Sequence, residues 1–277
     1  MVLSARKDLE RQQRRWAENA GVEHDARGFV RDCAANLRLP MSDATRAAFA
    51  RGSELTPRGT RPARIAALHS SAALVANVFD HWSARDAAPL VGALGLGVDA
   101  ATLTFEEPLA TGVEGDPPTS DVVLRCGSGR FVAIESKFGE WLARRASNRA
   151  DLKPKYFPDG RALWRDAGLP RAQALAENLR SGRERFKHLH VAQLLKHALG
   201  LAHSTRGEHE LRYLYYEWPR GPAAAHRAEL ERFARGIDAE VQFSAATYQE
   251  LYRALAADAR VDRGYVAYLR ARYFRAV

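Results

Sequence analysis

The stretch "SDVVLRCGSGRFVAIESK", residues 120–137, constrains the fold of this chain more than any other. Two runs rich in β-branched and apolar residues flank Gly127-Ser128-Gly129, a composition that favours two strands joined by a tight turn. The first run nevertheless opens with Asp121, and the second closes on Glu135-Ser136-Lys137. Buried strands tolerate carboxylates and an ammonium where something compensates them.

Side chains alternate along a strand, so residues two apart share a face. Glu135 and Lys137 then point one way, Ile134 and Ser136 the other. On the preceding strand Asp121, Val123 and Arg125 share a face. Regular pairing sets Asp121 near Glu135 or Lys137, whereas a bulge would change the register. An Asp buried beside a Glu repels it unless one is protonated or a positive charge stands between them. Lys137 is one such charge and a divalent cation is another. Mg²⁺ prefers hard carboxylate oxygens and commonly takes just one or two of them. Held there, it can activate water and offset charge on a phosphate, while a neighbouring lysine orients the nucleophile or stabilises the transition state. The set is sufficient for phosphodiester hydrolysis. The competing reading is a plain salt bridge at the end of an exposed hairpin.

Residues 65–82 place Leu68, Ala72, Val75, Phe79 and Trp82 on one helical face and predict the first core helix. Strands are predicted over 101–109, 120–126 and 130–137. A helix over 185–203 and a strand over 210–218, stopped by Pro219, follow. A helix over 222–236, a short strand around "EVQF" and a helix from Ser244 to Leu255 complete the pattern. Ahead of this core, residues 4–20 predict an exposed polar helix, and 25–50 contain a second helix ended near Pro40. The loop 51–64, "RGSELTPRGTRPAR", is basic and either lies against phosphates or is solvated. The expected organisation is a helical extension with a basic loop over 1–64 and a main domain over 65–277 with an insertion at 138–185. Mixed αβ order around a central hairpin predicts an α/β fold, a mixed sheet with helices on both faces.

A chain of 277 residues can bury a sizeable core without disulfides or structural metals. Cys33 and Cys126 offer no zinc spacing, and no Cys/His set completes a zinc site with His188, His190, His197 and His203. No apolar run approaches a membrane span, and the charged N-terminus lacks a signal-peptide core, so a soluble, cytoplasmic protein with no membrane partner is expected. The net charge is +9, carried mostly by arginine. Arginine suits phosphate, although GC-rich codon usage gives the same composition. Walker-type loops and serine-nucleophile signatures are absent from the sequence.

The residues "SDVVL…FVAIESK" resemble the second and third core strands of the PD-(D/E)xK nuclease superfamily. The αβββαβ core of that superfamily matches the predicted order from 65–82 to 210–218. The segments "HSSAALVANVF", "ESKFGEWL" and "QLLKHALGL" together resemble an uncharacterised group of restriction-endonuclease-type proteins within it, from about Ile65 to Leu255. The resemblance implies a restriction-endonuclease-like fold and a nuclease, of restriction endonuclease type, that uses Mg²⁺, with Mn²⁺ substituting, on DNA. It implies Asp121 and Glu135 as metal ligands, Lys137 as the catalytic lysine and the Ser136 carbonyl as a further ligand. Gln193 would place substrate or water, with His197 on the same side of its helix. Many relatives carry a glutamate on the first core helix, where this chain has Ser70, Ser71 and Asn77. Glu106 or Glu107 could replace it, or two carboxylates suffice; Asn77 is expected to be structural. Cutting both strands of a duplex needs two sites, which points to a homodimer, and a partner methyltransferase stays open. The alternative is a catalytically inactive nucleic-acid-binding protein of the same fold.

Overall fold

Val122, Val123, Leu124, Val132, Ala133 and Ile134 are fully buried, which sets the Gly-Ser-Gly hairpin at the heart of a sheet. The structure, a computed structural model, describes residues 4–97, 99–143, 148–204 and 208–274. Five strands lie in the order β1 (Ala101–Pro108), β2 (Thr119–Cys126), β3 (Phe131–Lys137), β4 (His209–Tyr215) and β5 (Gln242–Thr247). The first three pair antiparallel, whereas β4 runs parallel to β3 and β5 parallel to β4. Before the sheet come α1 (Ala5–Asn19), α2 (Asp43–Arg51), α3 (Ser71–Phe79) and α4 (Ala88–Ala93). Between β3 and β4 lie α5 (Leu163–Asp166), α6 (Pro170–Ser181) and α7 (Val191–Ser204). The helices α8 (Ala223–Ile237), α9 (Tyr248–Ala257) and α10 (Arg263–Arg272) complete the described chain.

The series α3, β1, β2, β3, α7, β4 is the expected αβββαβ core, and the sheet is mixed as expected. Both faces are covered. On one, His197 of α7 meets Glu135; on the other, Tyr248 at the start of α9 meets Ser136, hydroxyl to hydroxyl at 2.6 Å. Two parallel strands require a crossover, and here the 138–185 insertion and α7 make it. Residues 144–147 of that insertion lie outside the described residues. Asn148 fastens the insertion to α7: its amide donates to the Phe186 and Leu189 carbonyls at 3.2 and 3.0 Å, and its oxygen accepts the Ala192 N–H. At the far end of α7, Gly200 lets the helix close on the loop after β1. A Cβ there would stand 2.6 Å from Leu109 Cβ and 2.8 Å from its carbonyl oxygen.

Several elements differ from the sequence reading. The helix expected over 185–203 begins at Val191, the strand expected over 210–218 ends at Tyr215, and the helix expected to end near Pro40 is a short 3₁₀ turn over Cys33–Asn36, with α2 starting beyond the proline. Three further differences have a local reason. The first core helix starts at Ser71, because Ser70 caps it by accepting the Ala73 N–H. Residues 66–68 instead pair with the segment 28–30, through Val30 N–H to Ala66 O and Leu68 N–H to Gly28 O, both 2.9 Å. The segment 244–247, expected as helix, extends β5. The helix begins at Tyr248 behind a Thr247/Glu250 capping box, a T-x-x-E signal present in the sequence. The polar N-terminal helix is half-hidden: Leu9, Gln13, Trp16 and Ala17 are buried, and the Gln13 amide donates to the Arg272 carbonyl on α10. Leu9, Ala48 and Phe49 share the core of the sheet domain. Among the described residues no helix is long and apolar enough to cross a membrane.

Candidate active site

The β2–β3 ladder ends at Val122↔Ile134, one residue short of the charges. Beyond it, side chains replace the ladder bonds. Ser120 Oγ donates to the Val122 and Ile134 carbonyls, and Asp121 Oδ2 accepts the Ser136 N–H at 2.6 Å. The register carries Asp121 opposite Glu135, one of the two neighbours that regular pairing allowed. Glu135 is 1% exposed at its side chain and binds the Lys137 ammonium with Oε1. Its other oxygen, Oε2, stands 3.4 Å from Nδ1 of the fully buried His197, and neither atom makes a well-formed hydrogen bond.

Glu106 joins the group from β1. It lies opposite Asp121 and adopts φ +46°, which twists the strand end. That twist separates the two β1 glutamates. Glu107 is held by Arg125, whose Nη1 donates to Oε2 at 3.0 Å. Glu106 turns instead toward the end of α2, where its Oε2 would stand 2.5 Å from a Cβ on Gly52. Any larger residue at 52 would displace this carboxylate.

The electrostatics follow from crowding. Burial, then Glu135, push the Asp121 carboxyl well above the usual range. Burial, then Glu54 and Glu135, push Glu106 up to about 8. Burial alone would lower the Lys137 ammonium; Glu135, Asp121 and Glu140 outweigh it and hold the group above the usual lysine range. Burial pulls the His197 imidazole down despite Glu135. Carboxylates thus outnumber the one ammonium at their centre, which is the situation a divalent cation relieves.

Of the residues singled out from sequence, Asp121, Glu135, Lys137, the Ser136 backbone and Glu106 come together. The Ser136 hydroxyl points to the opposite face, toward Tyr248. Gln193 is on α7 one turn before His197, but its oxygen is paired with His190 Nδ1 at 2.9 Å rather than with a carboxylate of the site. Asn77 is structural: its amide donates to the Asn36 and Ala73 carbonyls, and its oxygen accepts the Arg38 N–H. Glu54 and Glu140 were not anticipated. Glu140 lies three residues past Lys137, and its carboxylate accepts the Phe138 and Gly139 N–H groups, a turn-capping role visible in "KFGE". Glu54 reaches the site from the basic loop and had no local signal.

Among the described residues no three His, Cys, Asp or Glu side chains are gathered closely enough to form a ready metal cage. The donor set still fits a Mg²⁺-type ion. Such an ion takes one or two carboxylates and completes its shell from other oxygens, and Glu135 Oε2 is a buried carboxylate oxygen without a hydrogen bond.

A family model described as "Restriction Endonuclease associating with ARP" matches residues 17–274. The chain belongs to that family. The match takes in only the last three residues of α1 but all of the basic loop, the sheet, the insertion and α10, so the family's extent includes the elements around the carboxylates as well as the core. Membership supports a restriction-endonuclease-type protein and, with it, nuclease activity. No curated protein and no solved structure matches the chain.

Proposed function

We propose that the chain is a Mg²⁺-dependent nuclease of the PD-(D/E)xK type that hydrolyses phosphodiester bonds of DNA as a restriction-type endonuclease. The observation that carries this reading is the placement of Asp121, Glu135 and Lys137 on one face where the β2–β3 ladder ends, with more carboxylate than ammonium buried together. Asp121 and Glu135 would hold the ion, with the Ser136 carbonyl beside them and Glu106 as a further oxygen donor. Bound there, Mg²⁺ would supply Lewis-acid polarisation of the scissile phosphate and a more acidic water; Mn²⁺ would substitute.

The chain's own residues do the rest. Glu135 anchors the Lys137 ammonium and keeps it charged, so Lys137 can orient an attacking water or offset charge on the phosphate in the transition state. The Ser136 N–H fixes the Asp121 carboxylate. His197 and the apolar residues of β2 and β3 restrict the motion of Glu135, so the donors need little reorganisation. Gln193 stands a turn away, with His190, where a shift of its side chain would bring it toward substrate. Duplex cleavage would use two copies of the chain, and the setting would be the cytoplasm, alongside a DNA methyltransferase if one accompanies it.

The test is plasmid nicking with and without Mg²⁺, comparing wild type with Asp121→Ala and Lys137→Ala. Wild type should nick only with the ion, and each variant should lose more than the ~10–100-fold typical of outer-shell changes. Cleavage that survives both substitutions would remove these residues from the mechanism. A wild type that binds DNA with no cleavage in Mg²⁺ or Mn²⁺ would favour an inactive binding protein of the same fold.

A further inference from the structure

A cavity of about 490 Å³ opens between the N-terminal extension and the turn that follows β3. That size falls within the ~300–1,000 Å³ of ordinary ligand pockets. Its wall includes Arg6, Arg27, Arg58, Arg61 and Arg64, set against Glu10, Glu54 and Glu140. The three carboxylates already have partners. Glu10 is paired with Arg6 at 3.0 Å, Glu54 with Arg64 at 2.9 Å, and Glu140 accepts two backbone N–H groups. Among the described residues Arg27, Arg58 and Arg61 make no salt bridge to a carboxylate, although Arg58 also acts on Glu54 at longer range, and Arg27 stacks on Phe29 at 5.0 Å. The cavity therefore keeps an excess of positive charge after its internal pairs are counted.

The backbones of Arg58 and Arg61 are tied to each other. Each backbone N–H donates to the other's carbonyl, at 3.0 and 3.1 Å, across the Gly59-Thr60 turn. Residues paired directly across an antiparallel bridge project to the same side. Two guanidinium groups thus leave one tight turn together, the arrangement that grips a phosphate with parallel N–H···O bonds.

The cavity borders the carboxylate site. Glu54 lines it and is the residue that most strongly repels Glu106. Gly139 and Glu140 line it too, two and three residues beyond Lys137. A strand whose scissile phosphate lay at Lys137 would carry a neighbouring phosphate toward the arginines.

We infer that this cavity binds a phosphate of the substrate strand adjacent to the one cleaved, with Arg58 and Arg61 as its clamp. The inference rests on the nuclease reading for what the strand is, and on the cavity itself for where the strand goes. It gives the basic loop 51–64 a role in placing the strand. Phosphate contacts of this kind position the substrate without reading its sequence.

The experiment measures binding of a labelled DNA duplex by the full chain, by fluorescence anisotropy in EDTA over a series of salt concentrations. The proteins are wild type, Arg58→Ala/Arg61→Ala, and Arg235→Ala on the outer face of α8 as a charge control. Thermal unfolding confirms that each is folded. The double variant should bind at least about 10-fold more weakly, with a log–log salt slope reduced by about 2, one for each lost contact. Arg235→Ala should match wild type. Duplexes with and without a 5′-phosphate identify the source. A preference for the phosphorylated end that disappears in the double variant indicates a terminal phosphate; an equal loss on both duplexes indicates an internal one. A double variant that binds like Arg235→Ala overturns the inference, as does a wild type that does not bind DNA. Cleavage is read separately. Wild-type cleavage with an unaffected double variant removes the clamp alone, and clamp-dependent binding without cleavage removes the nuclease reading alone.

Discussion

His197 Nδ1 stands 3.4 Å from Glu135 Oε2, with both side chains sealed from solvent. Burial holds this imidazole below the usual histidine range, so near neutral pH it offers a dipole to the carboxylate rather than a second positive charge. Lys137 is thereby left as the cation at Glu135, and the position of Oε2 depends on the ring. Outer-shell groups that orient a ligating carboxylate typically change metal affinity or activity by 10–100-fold when removed. His197→Gln should therefore weaken Mn²⁺ binding by ~10–100-fold, read by calorimetric titration, while circular dichroism stays that of wild type. Unchanged affinity would reduce His197 to a packing residue.

The Lys137–Glu135 pair makes a second prediction. Removing the ammonium leaves Glu135 buried beside Asp121 without compensation, and breaking such pairs typically costs about 3–5 kcal/mol. Lys137→Ala should lower stability in EDTA by something near the low end of that range, because the lysine is not wholly buried. A divalent ion that binds the folded state should return part of the loss, rising with the logarithm of its concentration. Denaturant melts of the variant with and without Mg²⁺ check this. If the ion leaves the variant's stability unchanged, the carboxylates do not bind it.

Much of this arrangement was legible in sequence because local pattern and tertiary structure agree there. The Gly-Ser-Gly turn, two apolar runs and period-two alternation set Asp121 near Glu135 or Lys137, and the observed register, Val122 opposite Ile134, selects Glu135. Other features depended on contacts between distant segments. Residues 66–68 fit a helical face, yet their backbone bonds go to the segment 28–30, a partner that no local pattern names. The choice between Glu106 and Glu107 turned on a single left-handed residue, and a glutamate with positive φ has no reliable signature. Glu54 belongs to the site because α2 ends on Gly52, which lets Glu106 reach it. The start of α9 could have been found, since Thr247 and Glu250 form a capping box.

A third prediction concerns acid stability. His226 is buried against Trp141, with the rings stacked at 4.5 Å, and its Nε2 meets the Tyr213 hydroxyl at 3.2 Å. Burial, then His188 and Arg227, push its pKa down to about 3 from an ordinary 6.5. The folded value lies below the unfolded one. Between pH 6.5 and about 3 the unfolded chain therefore takes up a proton that the folded chain refuses, and stability falls as pH drops through this window. The limiting slope for one such group is about 1.4 kcal/mol per pH unit. Urea melts at pH 7 and pH 5 should show wild type losing more stability than His226→Gln, which keeps a partner for Tyr213 but does not titrate. Equal losses in the two proteins would place the acid sensitivity elsewhere.

Gly200 gives a prediction about how the site is held. The α7 backbone passes so close to Leu109 that an added methyl would meet Leu109 Cβ at 2.6 Å and its carbonyl oxygen at 2.8 Å. Backbone cannot yield as a flexible side-chain tip does, so the helix would have to move. Ala is the better helix former by nearly 1 kcal/mol, but overpacking typically costs about 1–3 kcal/mol. Gly200→Ala should therefore destabilise the protein by up to about 2 kcal/mol in urea unfolding. Because α7 carries His197 on the same rigid helix, displacement at residue 200 also shifts the ring from Glu135. The variant should bind Mn²⁺ more weakly than wild type at a temperature where both are fully folded. A stabilised variant with unchanged metal affinity would show that α7 can slide along the sheet without disturbing the carboxylates.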